Sequence, residues 1–329
     1  MAPRIVFGVN LSFAKFVYGF EQALELVRER FKLRHVEVVP DVDFGPVFYA
    51  TSPEAFRAHH WRLADRARQL GVTLDSVLTF YRDTAAVGHT EPAIRESAYR
   101  VGLAMLEQAA CYRARFASAE LFTIPREVAD DPELFQSLYF HSIDIWKRWM
   151  GDARRLGLEG MLIETAATFR EGCSTLSETR NTLELLDTFH RENRSATVPI
   201  GLCYDTGHGI SEEESADPRD RDYRAWFDAF PDRIHEIHLK NTDPDFQETW
   251  HFGGDEEGII DLGEVFAAIR DRLTTQRVLV FLEVPGKRGR QIGERKAIEG
   301  HQRSIELVEK ALRGAGYRED PKDFTWVLQ

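Results

Sequence analysis

The 329-residue sequence predicts an α/β protein, and within that class a closed (β/α)₈ barrel of the TIM type. Two observations predict this fold. Runs of strand-forming residues alternate with helical patterns eight times, and such alternation implies parallel strands joined by right-handed crossovers. A barrel of this type usually needs about 250 residues or more, which the chain provides. We therefore predict one barrel domain over residues 1–329, with residues 314–329 as a C-terminal extension.

The first half of the chain contains four strand–helix units. In the first helix the apolar positions recur every three or four residues, as in a helix with one buried face. Ser52, Pro53 and Glu54 mark the start of the second helix, because proline is favoured at the first helical position. The fourth strand is the least regular of the eight. The predicted strands are residues 4–11, 35–40, 72–81 and 116–124, and the predicted helices are residues 20–31, 52–70, 91–112 and 132–156.

The second half repeats this pattern more clearly. After its last helix the chain continues into a tail that carries Trp326. We expect this tail to cover the bottom of the barrel or to pack on another subunit. The predicted strands of this half are residues 160–165, 198–204, 233–239 and 277–284, and the predicted helices are residues 175–192, 223–230, 262–273 and 294–313.

A doubly wound open sheet is the alternative fold, since it also alternates strands with helices. That fold would place a phosphate-binding glycine turn, G-x-G-x-x-G, after the first strand. Asn10, Leu11, Ser12 and Phe13 stand there instead. The missing glycine turn favours the barrel.

Composition and charge narrow the function classes. No apolar run approaches the roughly 20 residues needed to cross a bilayer, so we expect no membrane segment. The formal charge of −12 argues against a nucleic-acid partner, because phosphate binding needs a local excess of lysine and arginine. Cys111, Cys173 and Cys203 have no paired spacing and fit reduced thiols. Because the N-terminus lacks a signal-peptide pattern, we predict a cytoplasmic protein with a small polar ligand.

Acids and histidines lie where the predicted strands of the second half end. The sixth strand delivers Asp205 to its C-terminal end, and a glycine-flanked turn then carries His208. Glu164, His238 and Glu283 hold the corresponding positions on the fifth, seventh and eighth strands. Parallel barrels bind their ligands at this end of the strands. These residues are therefore the first candidates for a functional site.

The four residues Glu164, Asp205, His238 and Glu283 can surround one ion, because neighbouring strands lie about 4.8 Å apart. Three carboxylates and one imidazole suit Mn²⁺ or Mg²⁺, then Co²⁺, and suit Zn²⁺ less. Each residue alone also has a structural explanation, as a solvated rim glutamate, a core histidine or, for Asp205, a turn cap. Together they favour a metal site, since burying several carboxylates without a cation is costly.

Three short motifs surround these residues. Residues 205–208 have the pattern D-x-x-H, residues 238–241 have the pattern H-[LIV]-K-[DN], and residues 258–262 have the pattern G-x-I-D-[LFW]. Together with the strand-end glutamates, they resemble the xylose-isomerase-like barrels, a family of sugar phosphate isomerases and epimerases. The ketose 3-epimerases for D-tagatose and D-psicose belong to that family. The resemblance covers most of the chain and is strongest from residue 164 to the end of the eighth strand.

The resemblance implies roles for individual residues. The family's metal ligands fall on the four strand-end residues, and its substrate-contacting histidine falls on His208. A homodimer or homotetramer would be expected. Apart from the resemblance, Lys240 either holds a substrate oxygen as well or, as is commoner for a lysine at a strand edge, serves as an ion-pair partner. Glu37 ends the second strand and can face the barrel mouth, so we add it to the substrate-binding candidates.

The sequence departs from the family in the loop after the fifth strand. The 3-epimerases carry E-x-x-N-R-F-E there, and Arg170 stands where the family has its second glutamate. The loop after the eighth strand carries Lys287, Arg288 and Arg290, which form either a solvated cationic loop or a phosphate clamp. Arg170 and Arg288 favour an anionic sugar, such as a four- or five-carbon ketose phosphate.

These residues predict proton transfer at a carbon next to a carbonyl. In a 3-epimerase, Glu164 and Glu283 would serve as acid and base on opposite faces of a cis-enediolate. In an aldose–ketose isomerase, one glutamate would move the proton between neighbouring carbons. A dehydratase of the same barrel type, acting on a keto-polyol of the inosose or dehydroshikimate kind, is the alternative enzyme. A relative of DNA-repair endonucleases would need more histidines and a basic groove, and the clustered acids argue against a non-catalytic binding protein.

Overall fold

The computed structural model describes residues 2–15, 17–40, 46–79, 86–285 and 294–329, with the backbone alone for residues 46–48 and 294. Its strands are β1 Arg4–Asn10, β2 His35–Val38, β3 Thr73–Leu78, β4 Phe116–Ala119, β5 Gly160–Glu164, β6 Ile200–Asp205, β7 Ile234–Leu239, β8 Arg277–Leu282, β9 Tyr317–Glu319 and β10 Trp326–Leu328. The strands β1 to β8 pair in parallel in sequence order. Because β1 pairs with both β8 and β2, the sheet closes. The predicted (β/α)₈ barrel is confirmed.

Helices follow the strands and pack around the barrel. Caps explain helix boundaries: at the start of the helix Pro132–Leu156, the Asp131 side chain accepts hydrogen bonds from the backbone N–H groups of Glu133 and Leu134. The same helix ends at Gly157, whose φ of 85° is left-handed. The described helices are α1 Phe20–Glu29, α2 Pro46–Thr51, α3 Pro53–Leu70, α4 Pro92–Tyr112, α5 Arg126–Ala129, α6 Pro132–Leu156, α7 Leu176–Glu192, α8 Tyr223–Ala229, α9 Leu262–Arg272 and α10 Glu294–Gly314.

Two apolar layers hold the barrel together. The larger one lies between the strands and the helices, where Trp146 and Trp149 of α6 are fully buried. The smaller layer fills the barrel interior and consists of Val6, Phe116, Leu162, Cys203, Leu279 and Phe281. Polar side chains lie above this layer, towards the C-terminal ends of the strands.

The fourth strand is shorter than the sequence pattern predicts. We expected residues 116–124 to form a strand, but β4 ends at Ala119. Beyond it the backbone N–H of Phe122 donates to the carbonyl of Glu171, and that of Ile124 donates to the carbonyl of Arg170. These residues therefore run against the loop after β5. Their apolar character serves packing under α6, since Phe122 and Ile124 are buried.

The C-terminal tail lies at the N-terminal ends of β1 and β2. Its strands β9 and β10 form an antiparallel hairpin, and Trp326 of β10 pairs with Ile5 of β1. The carbonyl of Asp323 lies 3.0 Å from Nε2 of His35, and the Asp323 carboxylate accepts a hydrogen bond from Arg4. The tail thus covers the bottom of the barrel, which is the first of the two positions expected for it.

None of the described helices combines the length and the apolar character needed to cross a membrane.

Candidate metal centre

Four of the predicted residues meet at the C-terminal end of the barrel. Glu164 and Asp205 end β5 and β6, His238 lies one residue before the end of β7, and Glu283 directly follows β8. One ligand atom from each lies within 4.8 Å of the others. His238 Nδ1 is 2.9 Å from Glu164 Oε1, 3.0 Å from Glu283 Oε2 and 3.8 Å from Asp205 Oδ2. All four side chains are at most 2% exposed.

The two carboxylate oxygens of Asp205 have different surroundings. Oδ1 accepts a hydrogen bond of 2.7 Å from the backbone N–H of Gly207, so Asp205 does cap its turn. Oδ2 faces the cluster. The turn is tight against β7, because a Cβ at Gly207 would lie 2.9 Å from Cβ of Lys240. One side chain thus shapes the turn and also supplies an inward-facing oxygen.

The cluster has the donors that a divalent cation requires. Among the described residues, no donor reaches Asp205 Oδ2 or either Glu283 oxygen with hydrogen-bond geometry, although all these atoms are buried. Their close contacts are ion pairs. Three carboxylates around a single imidazole carry more negative charge than one histidine can neutralise. The oxygen-rich set fits Mn²⁺ or Mg²⁺ by its chemistry.

Lys240 is a second buried cation beside the cluster. Its Nζ lies 2.5 Å from Asp205 Oδ2 and 3.1 Å from Glu283 Oε2. Burial alone would lower the pKa of Lys240, but the charges of Asp205, Glu283 and Glu164 raise it. Burial has the opposite effect on an acid and would raise the pKa of Glu283, but the charges of Lys240 and His238 lower this pKa to about 2. Glu283 is therefore a carboxylate at neutral pH.

His208 lies at the open side of the cluster. Its Nδ1 is 2.8 Å from the carbonyl oxygen of Thr165, so this nitrogen carries the proton and donates. Its Nε2 is 3.4 Å from Lys240 Nζ and 3.4 Å from Asp205 Oδ2. The His208 side chain is 28% exposed, against at most 2% for the four cluster residues. It can therefore meet a ligand that enters from solvent.

Solved structures share this architecture. A presumed xylose isomerase from Rhodospirillum rubrum aligns with a TM-score of 0.79 at 18% identity, covering 93% of this chain and 99% of its own. The D-psicose 3-epimerase of Clostridium cellulolyticum aligns with a TM-score of 0.65 at 14% identity, covering 94% and 99%. The fold is that of the xylose-isomerase-like barrels.

A third structure of this fold is the 3-keto-D-glucoside 4-epimerase of E. coli, with a TM-score of 0.61 at 13% identity and coverages of 93% and 99%. No family model and no curated protein matches the sequence. At such low identities the structural likeness establishes the fold.

In this xylose-isomerase-like barrel, Glu37 contacts the cluster residue His238. Its side chain is fully buried, and its Oε2 lies 2.9 Å from His238 Nε2. Burial and the charge of Glu236 raise the pKa of Glu37 well above its usual value. Glu236 is buried as well and accepts a hydrogen bond of 3.0 Å from Ser118. A polar layer thus separates the metal-site candidates from the apolar interior.

Of the two arginines proposed from the sequence as substrate contacts, the structure describes Arg170 alone. Arg170 is half-buried on the loop after β5, and within the described residues no hydrogen bond or ion pair joins its guanidinium to the four cluster residues. Its backbone carbonyl accepts the hydrogen bond from Ile124. Arg288, with Lys287 and Arg290, lies outside the described residues.

Two threonines were not predicted, although they hold the site in place. The Thr165 hydroxyl accepts a hydrogen bond from the backbone N–H of Asp205, and its carbonyl orients His208. The Thr206 hydroxyl accepts from the backbone N–H of Lys240 and lies 2.9 Å from the Lys240 carbonyl oxygen. Each threonine directly follows a predicted ligand in the sequence. This position next to a predicted ligand was the sequence signal that could have identified the two threonines.

Proposed function

We propose that the chain is a divalent-metal-dependent sugar isomerase, either a 3-epimerase or an aldose–ketose isomerase, acting on a ketose or ketose phosphate. The observation that carries this proposal is the convergence of Glu164, Asp205, His238 and Glu283 in one buried cluster at the C-terminal end of the barrel. Two solved structures of the same fold are named as a psicose 3-epimerase and a ketoglucoside 4-epimerase. Their names support a sugar substrate.

The four residues would hold Mn²⁺ or Mg²⁺, with Co²⁺ as a substitute and Zn²⁺ a poorer fit. When bound, the ion would polarise a substrate carbonyl and so stabilise the negative charge that develops as the adjacent carbon loses its proton. Asp205 and His238 would serve as ligands only. Glu164 and Glu283 would also carry the proton transfer.

The two glutamates would transfer protons on two faces of a sugar. They extend from β5 and β8, with β6 and β7 between them, so they approach a ligand from different sides. In a 3-epimerase one of them removes the proton from carbon 3 and the other returns a proton to the opposite face of the cis-enediolate. In an aldose–ketose isomerase one glutamate moves the proton between neighbouring carbons. The low pKa of Glu283 keeps it in the form that accepts a proton.

His208 and Lys240 would hold substrate oxygens. Because Nδ1 of His208 donates to Thr165, its Nε2 is the acceptor that a sugar hydroxyl can reach. Lys240 can donate to a substrate oxygen from its position beside Glu283. Fixing the sugar at two oxygens would set which carbon faces the two glutamates.

An anionic substrate is the narrower proposal. Arg170 replaces an acid of the related epimerases, and no described carboxylate forms an ion pair with it. Arg170 and Arg288 would contact a phosphate on a four- or five-carbon ketose, because arginine binds phosphate through paired hydrogen bonds. We expect Arg288→Ala to raise KM for a phosphorylated ketose and to leave KM for the free sugar unchanged.

Solvent proton exchange tests the proposal. The purified protein with Mn²⁺ is incubated in D₂O with a panel of free and 1-phosphorylated ketoses, with and without EDTA, and deuterium is located by NMR. Deuterium at carbon 3 that disappears with EDTA would support the 3-epimerase, and deuterium at carbon 1 or 2 would support the aldose–ketose isomerase. No exchange, together with an enone absorbance from a keto-polyol, would replace both with the dehydratase.

A further inference from the structure

His238 has a different carboxylate on each side of its ring. Nδ1 faces Glu164 and Glu283 in the cluster, while Nε2 faces away from it and lies 2.9 Å from Glu37 Oε2. Only Nδ1 is therefore placed to meet an ion held by the cluster. We propose that Glu37 is a positioning residue: it keeps the His238 proton on Nε2 and so presents the bare Nδ1 to a divalent ion. This inference rests on the metal part of the proposed function.

Glu37 is itself fixed by the neighbouring strand. Asn10, the last residue of β1, pairs with Glu37 of β2, and its Nδ2 donates to Glu37 Oε2 at 2.5 Å. The other side-chain atom of Asn10, Oδ1, accepts from the backbone N–H of Ser12 at 2.7 Å. The amide is thus held at both ends. Since Glu37 is fully buried, water does not compete for its contact with His238.

The His238 ring needs such a partner because the other contacts do not fix which of its nitrogens carries the proton. Nδ1 lies at hydrogen-bonding distance from two carboxylates, so an unrestrained imidazole would place its proton there, where it would exclude a cation. A carboxylate at Nε2 favours the opposite tautomer, and such carboxylate–histidine pairs orient metal-binding imidazoles and raise their basicity. The Glu37 contact has the distance of a hydrogen bond but not its full alignment.

Glu236 provides a matched comparison within the same layer. It is as buried as Glu37 and is the same residue type, but its nearest oxygen lies 3.7 Å from His238 Nε2. Cys203 also lies near this side of the ring, and with Glu236 and His238 it forms a second group of metal-binding atoms. A second ion bound by Cys203, Glu236 and His238 would coordinate Nε2 of His238 and so break its contact with Glu37. The proposal therefore requires one bound ion per chain.

The test compares metal affinity across variants of the full chain. Glu37→Asp withdraws the carboxyl group from His238, Glu37→Gln keeps the shape, and Glu236→Gln changes the buried acid that lies farther from His238 Nε2. We expect the two Glu37 variants to weaken Mn²⁺ binding about 10- to 100-fold in calorimetric titrations, with less than a threefold change for Glu236→Gln. Unfolding temperatures identify any variant that fails to fold, and Glu37→Gln is the mildest change.

A second readout reports the tautomer directly. In ¹⁵N-histidine-labelled protein free of divalent ions, the His238 ring should show its proton on Nε2, with the assignment made from a His238→Asn variant. In Glu37→Gln the signal should lose this single-tautomer pattern. A structural role alone would change the unfolding temperature and leave the tautomer as it is.

Three outcomes would overturn the proposal: Glu37→Asp binding Mn²⁺ like the wild type, Glu37→Gln and Glu236→Gln weakening it equally, or a stoichiometry of two ions per chain. A wild type that binds no divalent ion would contradict it as well. A wild type that binds one Mn²⁺ but exchanges no sugar proton would contradict only the proposed function, since the affinity comparison needs no substrate.

Discussion

Glu164 and Glu283 share the same residue type and burial but have different neighbours. Lys240 Nζ lies 3.1 Å from Glu283, whereas His238 Nδ1 is the ion-pair partner described for Glu164. Both must act as carboxylates in the proposed reaction, as ligands and as proton carriers. A neutral amide of the same shape removes both abilities and leaves the packing almost unchanged.

We expect Glu164→Gln and Glu283→Gln each to reduce kcat by at least about 100-fold, because general acid–base catalysis contributes on that scale. Near-UV circular dichroism should remain that of the wild type. The matched control is Glu213→Gln, which changes an exposed glutamate in the loop after β6 and should leave kcat unchanged. Normal turnover in Glu283→Gln would remove the two-base account.

The four cluster residues could be predicted from the sequence, whereas the contacts of Glu37 could not. Each cluster residue lies at or within one residue of the C-terminal end of a strand, and strand ends can be identified from the hydrophobic pattern. The position of Glu37 depends on contacts across a closed barrel. There the pairing of β2 with β3 shifts register between Val36 and Glu37, and no count of alternating residues predicts such a shift.

At the scale of elements, the turn after β6 determines where Lys240 lies. Gly207 needs no left-handed backbone, so its role is to leave space: an added Cβ would lie 2.9 Å from the Lys240 Cβ. The hydroxyl of Thr206 in the same turn accepts a hydrogen bond from the backbone N–H of Lys240, directly after β7. The D-x-x-H motif pointed to a functional role for this turn. The need for glycine at position 207 could be explained only from the structure, which shows how close Lys240 lies.

Gly207→Ala should push the turn away from β7 and cost about 1–3 kcal/mol of unfolding free energy, as overpacking of a tight contact does. Urea unfolding measures this cost, and Mn²⁺ affinity should fall with it because Asp205 moves. Gly314→Ala, where an added Cβ meets nothing within 4 Å, is the control and should be nearly neutral. Equal stability of the two variants would contradict the packing argument.

A buried histidine pair joins the loop after β7 to α10. Nε2 of His251 lies 2.9 Å from Nδ1 of His301, whose ring stacks on Phe31. Burial and the neighbouring histidine lower the pKa of His301 to about 3. In the unfolded chain this histidine binds its proton near pH 6.5. The folded protein therefore loses stability as pH falls from about 6.5 towards 3, because only the unfolded state takes up the proton.

His301→Phe should reduce this loss, since phenylalanine keeps the stacking and has no proton to bind. At pH 5 the wild type should lose about 2 kcal/mol of unfolding free energy through this one group relative to pH 8, and the variant should lose that much less. Urea unfolding at both pH values measures the difference. Parallel pH dependences of wild type and variant would show that His301 is not responsible.

At the scale of the whole molecule, the candidate metal centre and the C-terminal hairpin occupy opposite ends of the barrel. The metal-centre candidates stand at the C-terminal ends of the strands, and the β9–β10 hairpin covers the N-terminal ends. The sequence indicated the eight repeating units and hence the barrel. It left open where the tail lies, because a single buried tryptophan at position 326 packs equally well on its own barrel or on another copy.

Trp326→Ala should destabilise the protein by about 3–5 kcal/mol, because Trp326 is almost completely buried against β1. The affinity for Mn²⁺ should stay within twofold of the wild type at temperatures where both are folded. Leu328→Ala, at an exposed position of the same strand, is the control and should cost under about 1 kcal/mol. A large loss of metal affinity in Trp326→Ala would show that the two ends are coupled.

The central claim is that Glu164, Asp205, His238 and Glu283 hold one divalent ion. Crystals grown with Mn²⁺, measured at a wavelength where manganese scatters anomalously, test it most directly. The account predicts a single strong anomalous peak per chain, bounded by Nδ1 of His238 and one oxygen from each of the three acids, and no peak in Glu283→Gln crystals at the same Mn²⁺ concentration. An ordered site with Lys240 against the acids and no anomalous peak at high Mn²⁺ would contradict the claim.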